Sequence, residues 1–271
     1  MSSWLKELFK EAKPVIAMAH VPALPGTPRY DADEGMDVLI ERVKSDVEHL
    51  VEGGVDAVMY CNEDDRPYVF EAGIEQIAAL TRVVAETAPA RIPFGVDFLW
   101  DPMAAMAVAG VSGAAFIREV LSGTYESDMG LWSPDAGRVL RFRRRINAEH
   151  VRVFYNVQPE FAASVGSRSV AERARSVVVS CLADAILVSG PMAGVQPDYS
   201  VIEEVKAAVS EVPVFLNTGS TPENIGDYLE VADGVIVGST LKVDGYTWNP
   251  VDPERVDLFM KAVTQARQAV S

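Results

Sequence analysis

The chain has 271 residues, a length that one (β/α)8 barrel reaches without a second domain, and its 49% hydrophobic and 23% charged residues exclude a disordered chain. Lys and Arg number 24 against 39 Asp and Glu, and the net charge of −15 disfavours nucleic acid and anionic membrane surfaces as partners. Two cysteines, Cys61 and Cys181, are too few for a disulfide framework, and no apolar run approaches the roughly 18 residues of a membrane span.

In chain order, Trp4, Leu5, Leu8 and Phe9 recur at helical spacing with Glu7 and Glu11 among them. This predicts a short amphipathic helix over 3–12 rather than a signal peptide, and a cytoplasmic protein. Residues 15–19 form the first short strand-like run, ending at His20. The helix that follows carries Met36, Leu39, Ile40, Val43, Val47, Leu50 and Val51 on one face, and Gly53 and Gly54 stop it. Further apolar runs lie at 57–60, 94–96, 114–117, 151–155, 186–188, 214–216 and 235–237. Helical stripes separate them at 74–84, 103–108, 136–146, 170–182 and 201–209, and a last stripe spans 256–270. Eight βα units with no linker between them predict one closed α/β domain over 1–271, a (β/α)8 TIM barrel. The interval from Ile117 to Val151 is the longest, so the fourth βα loop is long. Its Tyr125, Met129, Leu131 and Trp132 are too apolar for a free loop, and they are expected to cover the barrel mouth or a subunit contact of a homo-oligomer.

Loops at the C-terminal ends of barrel strands build the active site. Those ends carry His20, residues 61–65, Asp97, Arg118, Glu119, Asn156, Gln158, Ser189, residues 217–220 and residues 238–242, a polar ring of mixed sign. His20, Asp97 and Glu119 are the acid/base candidates, with a hydrogen-bonded structural role for His20 left open. The turns after strands seven and eight, Asn217-Thr218-Gly219-Ser220-Thr221-Pro222 and Gly238-Ser239-Thr240, have the glycines that let backbone N–H groups approach a phosphate. The same glycines also serve tight βα turns, but the usual phosphate position in such barrels favours binding. Thr221 as N-cap with Pro222 at the first helical position predicts a helix start there. Asn217, Gly219, Ser220, Gly238 and Ser239 are therefore assigned to phosphate, with Arg118 and Lys242 as its cations. A multi-histidine zinc site is excluded, because His49 falls in the first long helix and His150 precedes strand five at the far end of the barrel. No cofactor is required by any motif; a magnesium site on Asp97, Glu119 or Glu63 stays open. Lys242 is the lone Schiff-base candidate and sits on a loop, Cys61 reads as a packed small residue, and Arg138, Arg141 and Arg145 share one helix face as an ordinary charged surface.

Several strings carry a resemblance. Met18-Ala19-His20-Val21-Pro22-Ala23-Leu24-Pro25-Gly26-Thr27-Pro28 is similar to the opening signature of the BtpA/SgcQ family. Gly54-Val55-Asp56-Ala57-Val58-Met59, Thr221-Pro222-Glu223-Asn224, Ala232-Asp233-Gly234-Val235-Ile236-Val237-Gly238-Ser239 and Trp248-Asn249-Pro250-Val251-Asp252-Pro253-Glu254-Arg255-Val256 resemble its later segments. The resemblance implies a barrel of the ribulose-phosphate-binding type, in a family linked either to photosystem I biogenesis or to gene clusters for carbohydrate uptake. Two segments depart from the family pattern. Trp100-Asp101-Pro102 stands where an Arg-Asn-Asp string is common, and Asn156-Val157-Gln158-Pro159-Glu160-Phe161 stands in place of Asp-Val-His-Val-Lys-His. The expected function is an enzyme acting on a small phosphorylated sugar or nucleotide-like metabolite, by isomerase, lyase or nucleosidase chemistry. The alternative is a non-catalytic assembly or stability factor of the photosystem I biogenesis type.

Overall fold

The computed structural model describes residues 3–192 and 194–269. Its strands are β1 (Val15–His20), β2 (Ala57–Cys61), β3 (Phe94–Asp97), β4 (Phe116–Glu119), β5 (Tyr125–Ser127), β6 (Gly130–Trp132), β7 (Arg152–Asn156), β8 (Ala162–Ser164), β9 (Ala185–Val188), β10 (Val214–Leu216) and β11 (Gly234–Val237). Its helices are α1 (Ser3–Phe9), α2 (Gly35–Glu52), α3 (Ile74–Thr87), α4 (Pro102–Ser112), α5 (Ala136–Arg145), α6 (Val170–Cys181), α7 (Tyr199–Ala208), α8 (Ile225–Val231) and α9 (Pro253–Ala269). The strands β1, β2, β3, β4, β7, β9, β10 and β11 pair in that order and close a parallel barrel. Each lies within two residues of the run expected for it. Strands buried on both faces by a surrounding helical ring read as short continuous apolar runs, which is why they stand out in the sequence.

The barrel interior is filled by Phe116, Phe154 and Phe215 with Met18, Met59, Leu187 and Ile236. Gly95 and Gly234 make room for this: a Cβ on either would lie 2.1 Å from the Phe116 ring and 2.4 Å from the Phe215 ring. Helix α1 packs Leu5 and Phe9 into the same cluster, with the Phe9 ring 6.0 Å from that of Phe116. It stops at Phe9, three residues before the expected end, because Lys10 takes a left-handed conformation at φ 62°.

The long loop after β4 folds into the hairpin β5–β6, and β8, from the loop after β7, pairs with β5 to give a small antiparallel sheet. Tyr125 and Trp132 turn inward and pack with Trp100 and Val120, so the apolar loop does cover the mouth. Leu131 does not: it is 69% exposed, because neighbours in a strand point to opposite faces and Trp132 takes the inner one. Among the described residues, no helix is long and apolar enough to cross a membrane.

The barrel register places the rim. His20 pairs with Cys61, Cys61 with Asp97, and Glu119 with Tyr155, so groups far apart in sequence stand side by side at the strand ends.

Candidate functional site

A cleft occupies the mouth and has two lobes that share Glu63, Arg118 and Glu160. The first is lined by Tyr68, Leu99, Trp100, Val120, Trp132, Pro159 and Phe161 over a floor of Asp97, Glu119 and Asn156. The second is bounded by His20 and by the turns after β10 and β11, with Asn217, Gly219, Ser220, Gly238, Ser239 and Thr240 on its wall.

Arg118 organises the junction. Its Nη1 donates to Asp97 Oδ2, and its Nη2 donates to Glu160 Oε1 at 2.8 Å. Glu160 also accepts from Asn156 Nδ2 at 3.1 Å and from Asn217 Nδ2 at 3.2 Å. Ser189 completes the ring by donating to Asn156 Oδ1 at 3.0 Å while accepting from Asn217 at 2.7 Å. The guanidinium is therefore neutralised by two carboxylates through its two Nη atoms, while its buried Nε bonds no described protein group.

The other carboxyls are shifted toward their neutral forms. Burial, with the neighbouring Asp97 charge second, pushes Glu63 up to about 7. Glu119 is raised well above the usual carboxylate range, by burial first and by Asp97 second. Burial raises Asp97 too, but direct contact with Arg118 opposes it, so Glu119 is the member of that pair shifted further toward its neutral form. Glu119 Oε1 accepts from Phe98 N at 3.1 Å, which fixes the carboxyl in place. His20 behaves oppositely: burial and the positive charge of Lys242 push it down to about 3. Its Nδ1 donates to the Thr247 carbonyl at 3.1 Å, leaving Nε2 unprotonated and 3.9 Å from Glu63 Oε2. A neutral imidazole and a carboxyl that titrates near 7 thus face each other at the junction of the lobes. Cys61 is fully buried and its thiol, raised by burial, donates to Glu63 at 3.5 Å, in keeping with a packing role.

The turn lobe is built by close backbone approach. Gly219 has φ 75°, and a Cβ there would lie 2.1 Å from Gln196 N. Thr218 Oγ1 donates to Val195 O and accepts from Gly190 N, which locks the loop after β9 against this turn. Gly238 approaches the His20 ring, whose Cε1 would be 3.1 Å from an added Cβ. The 3-10 turn Ser239–Leu241 makes its first bond from Leu241 N to Gly238 O, so the N–H groups of Ser239 and Thr240 precede it with no partner inside the turn. Two buried atoms on this wall, Ser220 Oγ and Asn217 Oδ1, make no hydrogen bond with protein groups among the described residues.

The structure brings His20, Asp97, Glu119, Arg118, Asn217, Gly219, Ser220, Gly238 and Ser239 to the one cleft. Lys242 is a correction. It is 1% exposed and its Nζ donates to Asp46 Oδ2 at 2.8 Å, so its charge is spent inside the fold, behind the turn rather than on the lobe wall. The expected helix start at Pro222 is another. Asn224 Oδ1 accepts from Thr221 N and its Nδ2 donates to Gly219 O, which closes a turn over 221–224, and α8 begins only at Ile225. Arg118 reaches the turn lobe but is engaged by Asp97 and Glu160 instead of standing free. Glu160 and Tyr68 escape a reading confined to the strand ends, since they lie four and seven residues beyond β7 and β2. Glu63, weighed in sequence only as a metal ligand, is the group that both lobes share. Among the described residues, no group of three or more His, Cys, Asp or Glu side chains is placed to hold a metal ion.

Comparison with known proteins agrees with the barrel. The chain is 42% identical to the sgc region protein SgcQ of Escherichia coli K12, over 98% of this chain and 100% of that one. It is 31% identical to the photosystem I biogenesis protein BtpA of Synechocystis, over 96% of this chain and 91% of that one. Among solved structures, phosphoribosyl anthranilate isomerase from Thermotoga maritima superposes with a TM-score of 0.58 at 17% identity, covering 93% of this chain and 99% of that one, a likeness of fold alone. The model of the BtpA family matches residues 11–265, and the chain belongs to that family.

Proposed function

We propose that this barrel is an enzyme that binds a small phosphorylated sugar or nucleotide-like metabolite and moves a proton on it, in isomerase, lyase or nucleosidase chemistry. One observation carries the reading: a single cleft joins two buried, unpartnered polar atoms on the turn wall, Ser220 Oγ and Asn217 Oδ1, to carboxyls biased toward carrying protons. Buried polar groups without partners are rare and destabilising unless a ligand supplies the missing bond. A phosphate on the turn lobe accepts from Ser220 Oγ and from the N–H groups of Ser239 and Thr240. The rest of the substrate then lies over Glu63, Arg118 and Glu160, where Glu119 donates a proton, ionised Glu63 takes one up, and His20 Nε2, which resists protonation, accepts a hydrogen bond. Glu63, with its pKa of about 7, holds or releases a proton between them at physiological pH. The TM-score likeness to a phosphoribosyl isomerase supports the reading at the level of architecture. A non-catalytic assembly role, which the name of the Synechocystis relative carries, gives the protonated carboxyls and the unpartnered wall atoms no task.

The test is thermal stabilisation of the purified protein by a panel of sugar phosphates and nucleoside monophosphates. A ligand at about 100 times its Kd stabilises the folded state by about 2.7 kcal/mol, a rise of roughly 5–10 °C for a chain of this size. Ser220→Ala removes a buried hydroxyl that no described protein group bonds. The variant is therefore expected to be at least as stable as the wild type without ligand and to lose most of the ligand-induced rise. No rise with any member of the panel would overturn the proposal.

A further inference from the structure

Resting on that reading, we infer that the aromatic lobe is a subsite for an uncharged heteroaromatic ring, so that the substrate class is a nucleoside monophosphate rather than an open-chain or simple sugar phosphate. The walls argue first. Trp100 and Trp132 meet edge-to-face at 4.8 Å, and Phe70 stands behind both, stacked on Trp132 with 6° between planes. Tyr125 braces Trp132 from the hairpin at 6.0 Å. Rings held by other rings lose little freedom when a ligand stacks on them, and stacking on such a platform suits any flat π-face.

The floor argues second. Glu119, 5% exposed, and Asn156, 2% exposed, lie beneath these rings. With Oε1 of Glu119 on Phe98 N, Oε2 is left for a ligand. In the neutral form that oxygen can donate to a ring nitrogen or carbonyl of a nucleobase.

Charge argues third. Among the described residues the one cation lining the lobe, Arg118, is balanced by Asp97 and Glu160, and His20 is neutral, so a second anionic group would meet carboxylates. This disfavours a second phosphate or a carboxylate-bearing ring in the lobe and is compatible with an uncharged one. The phosphate lies on the turn lobe, the ribose crosses Glu63, Arg118 and Glu160, and the base enters between Tyr68, Trp100, Trp132 and Phe161.

Calorimetry and tryptophan fluorescence with AMP, GMP, UMP, CMP, ribose 5-phosphate and adenosine test this. At least one nucleotide is expected to bind ten or more times tighter than ribose 5-phosphate and to quench tryptophan emission, while ribose 5-phosphate does not quench. Trp132→Leu is expected to bring the nucleotide to within about threefold of ribose 5-phosphate without changing the latter's affinity. Should that variant fail to fold, Trp132→Phe keeps the packing, and a reduced quenching amplitude reports the same contact. Equal affinity of the wild type for ribose 5-phosphate and all four nucleotides would overturn the ring subsite and leave the phosphate reading standing. Adenosine binding as tightly as AMP would uphold the ring subsite and overturn the phosphate site. Silence from every probe would overturn both.

Discussion

Lys242 offers the sharpest perturbation, because a surface lysine that serves a phosphate and a buried lysine that serves the fold respond oppositely to removal. Its ammonium lies 2.8 Å from Asp46 Oδ2, and Asp46 Oδ1 accepts from Val251 N at 2.8 Å, so one carboxylate ties α2 to the segments before and after the second 3-10 turn (Val243–Gly245). Lys242 is 1% exposed and Asp46 8%. Lys242→Met leaves that carboxylate with Val251 N as its only partner. Breaking a buried pair from one side typically costs about 3–5 kcal/mol, and the retained bond places this site near the lower end. Asp46→Asn keeps an acceptor for Val251 N but strands the ammonium, whose pKa burial already lowers against the opposing pull of Asp46, and a loss of the same order follows. The double variant Asp46→Asn/Lys242→Met removes both charges and keeps the Val251 bond, so its loss is smaller than the sum of the two by roughly 2 kcal/mol or more. Urea unfolding followed by circular dichroism, with m-values compared to confirm that the denatured states match, measures all four proteins. A Lys242→Met protein within about 1 kcal/mol of wild type that has lost affinity for phosphorylated ligands would refute the structural assignment and return Lys242 to the binding site.

The raised pKa of Glu63 has a signed consequence for stability. Its folded value of about 7 lies above the ordinary 4.5, so the proton stabilises the folded state fully below pH 4.5, and this contribution, about 3 kcal/mol, is lost as pH rises through 7. Unfolding free energy measured from pH 5 to 8 therefore falls more steeply for wild type than for Glu63→Gln, and parallel profiles would show that Glu63 is not shifted. His20 has the opposite sign: with its folded value at about 3 against 6.5, stability present above pH 6.5 declines as pH falls toward 3, and His20→Gln flattens that acid limb in the same titration. Gly219→Ala, at φ 75° and 2.1 Å from Gln196 N, is expected to lose more than about 2 kcal/mol by urea unfolding, and a loss under about 1 kcal/mol would show that this turn tolerates a side chain. Phe9→Ala opens a void against Phe116 and Phe154 and is expected to lower stability by about 3–5 kcal/mol; a loss under 1 kcal/mol would show that α1 is not part of the interior packing.

The eight strands and the ring of polar residues at their ends are properties of the sequence itself. Each parallel strand is buried on both faces, so its apolar run is local and visible, and the residue that ends the run must reach the rim. His20, Asp97, Arg118 and Glu119 are found this way, as are the two glycine turns. What each polar group does there depends on its partner, and partners are chosen across the closed barrel. Arg118 is claimed by Glu160 from 42 residues away and Lys242 by Asp46 from 196 residues away, so neither is the free cation that its position alone implies. The hairpin β5–β6 reads as apolar and loop-like until β8 arrives to pair with it, and only then do Tyr125 and Trp132 turn inward while Leu131 faces water. Periodicity determined which residues reach the mouth; barrel closure decided which charges are balanced there, because the energy of a buried ion is set by the groups within a few ångströms of it and not by its neighbours in the chain.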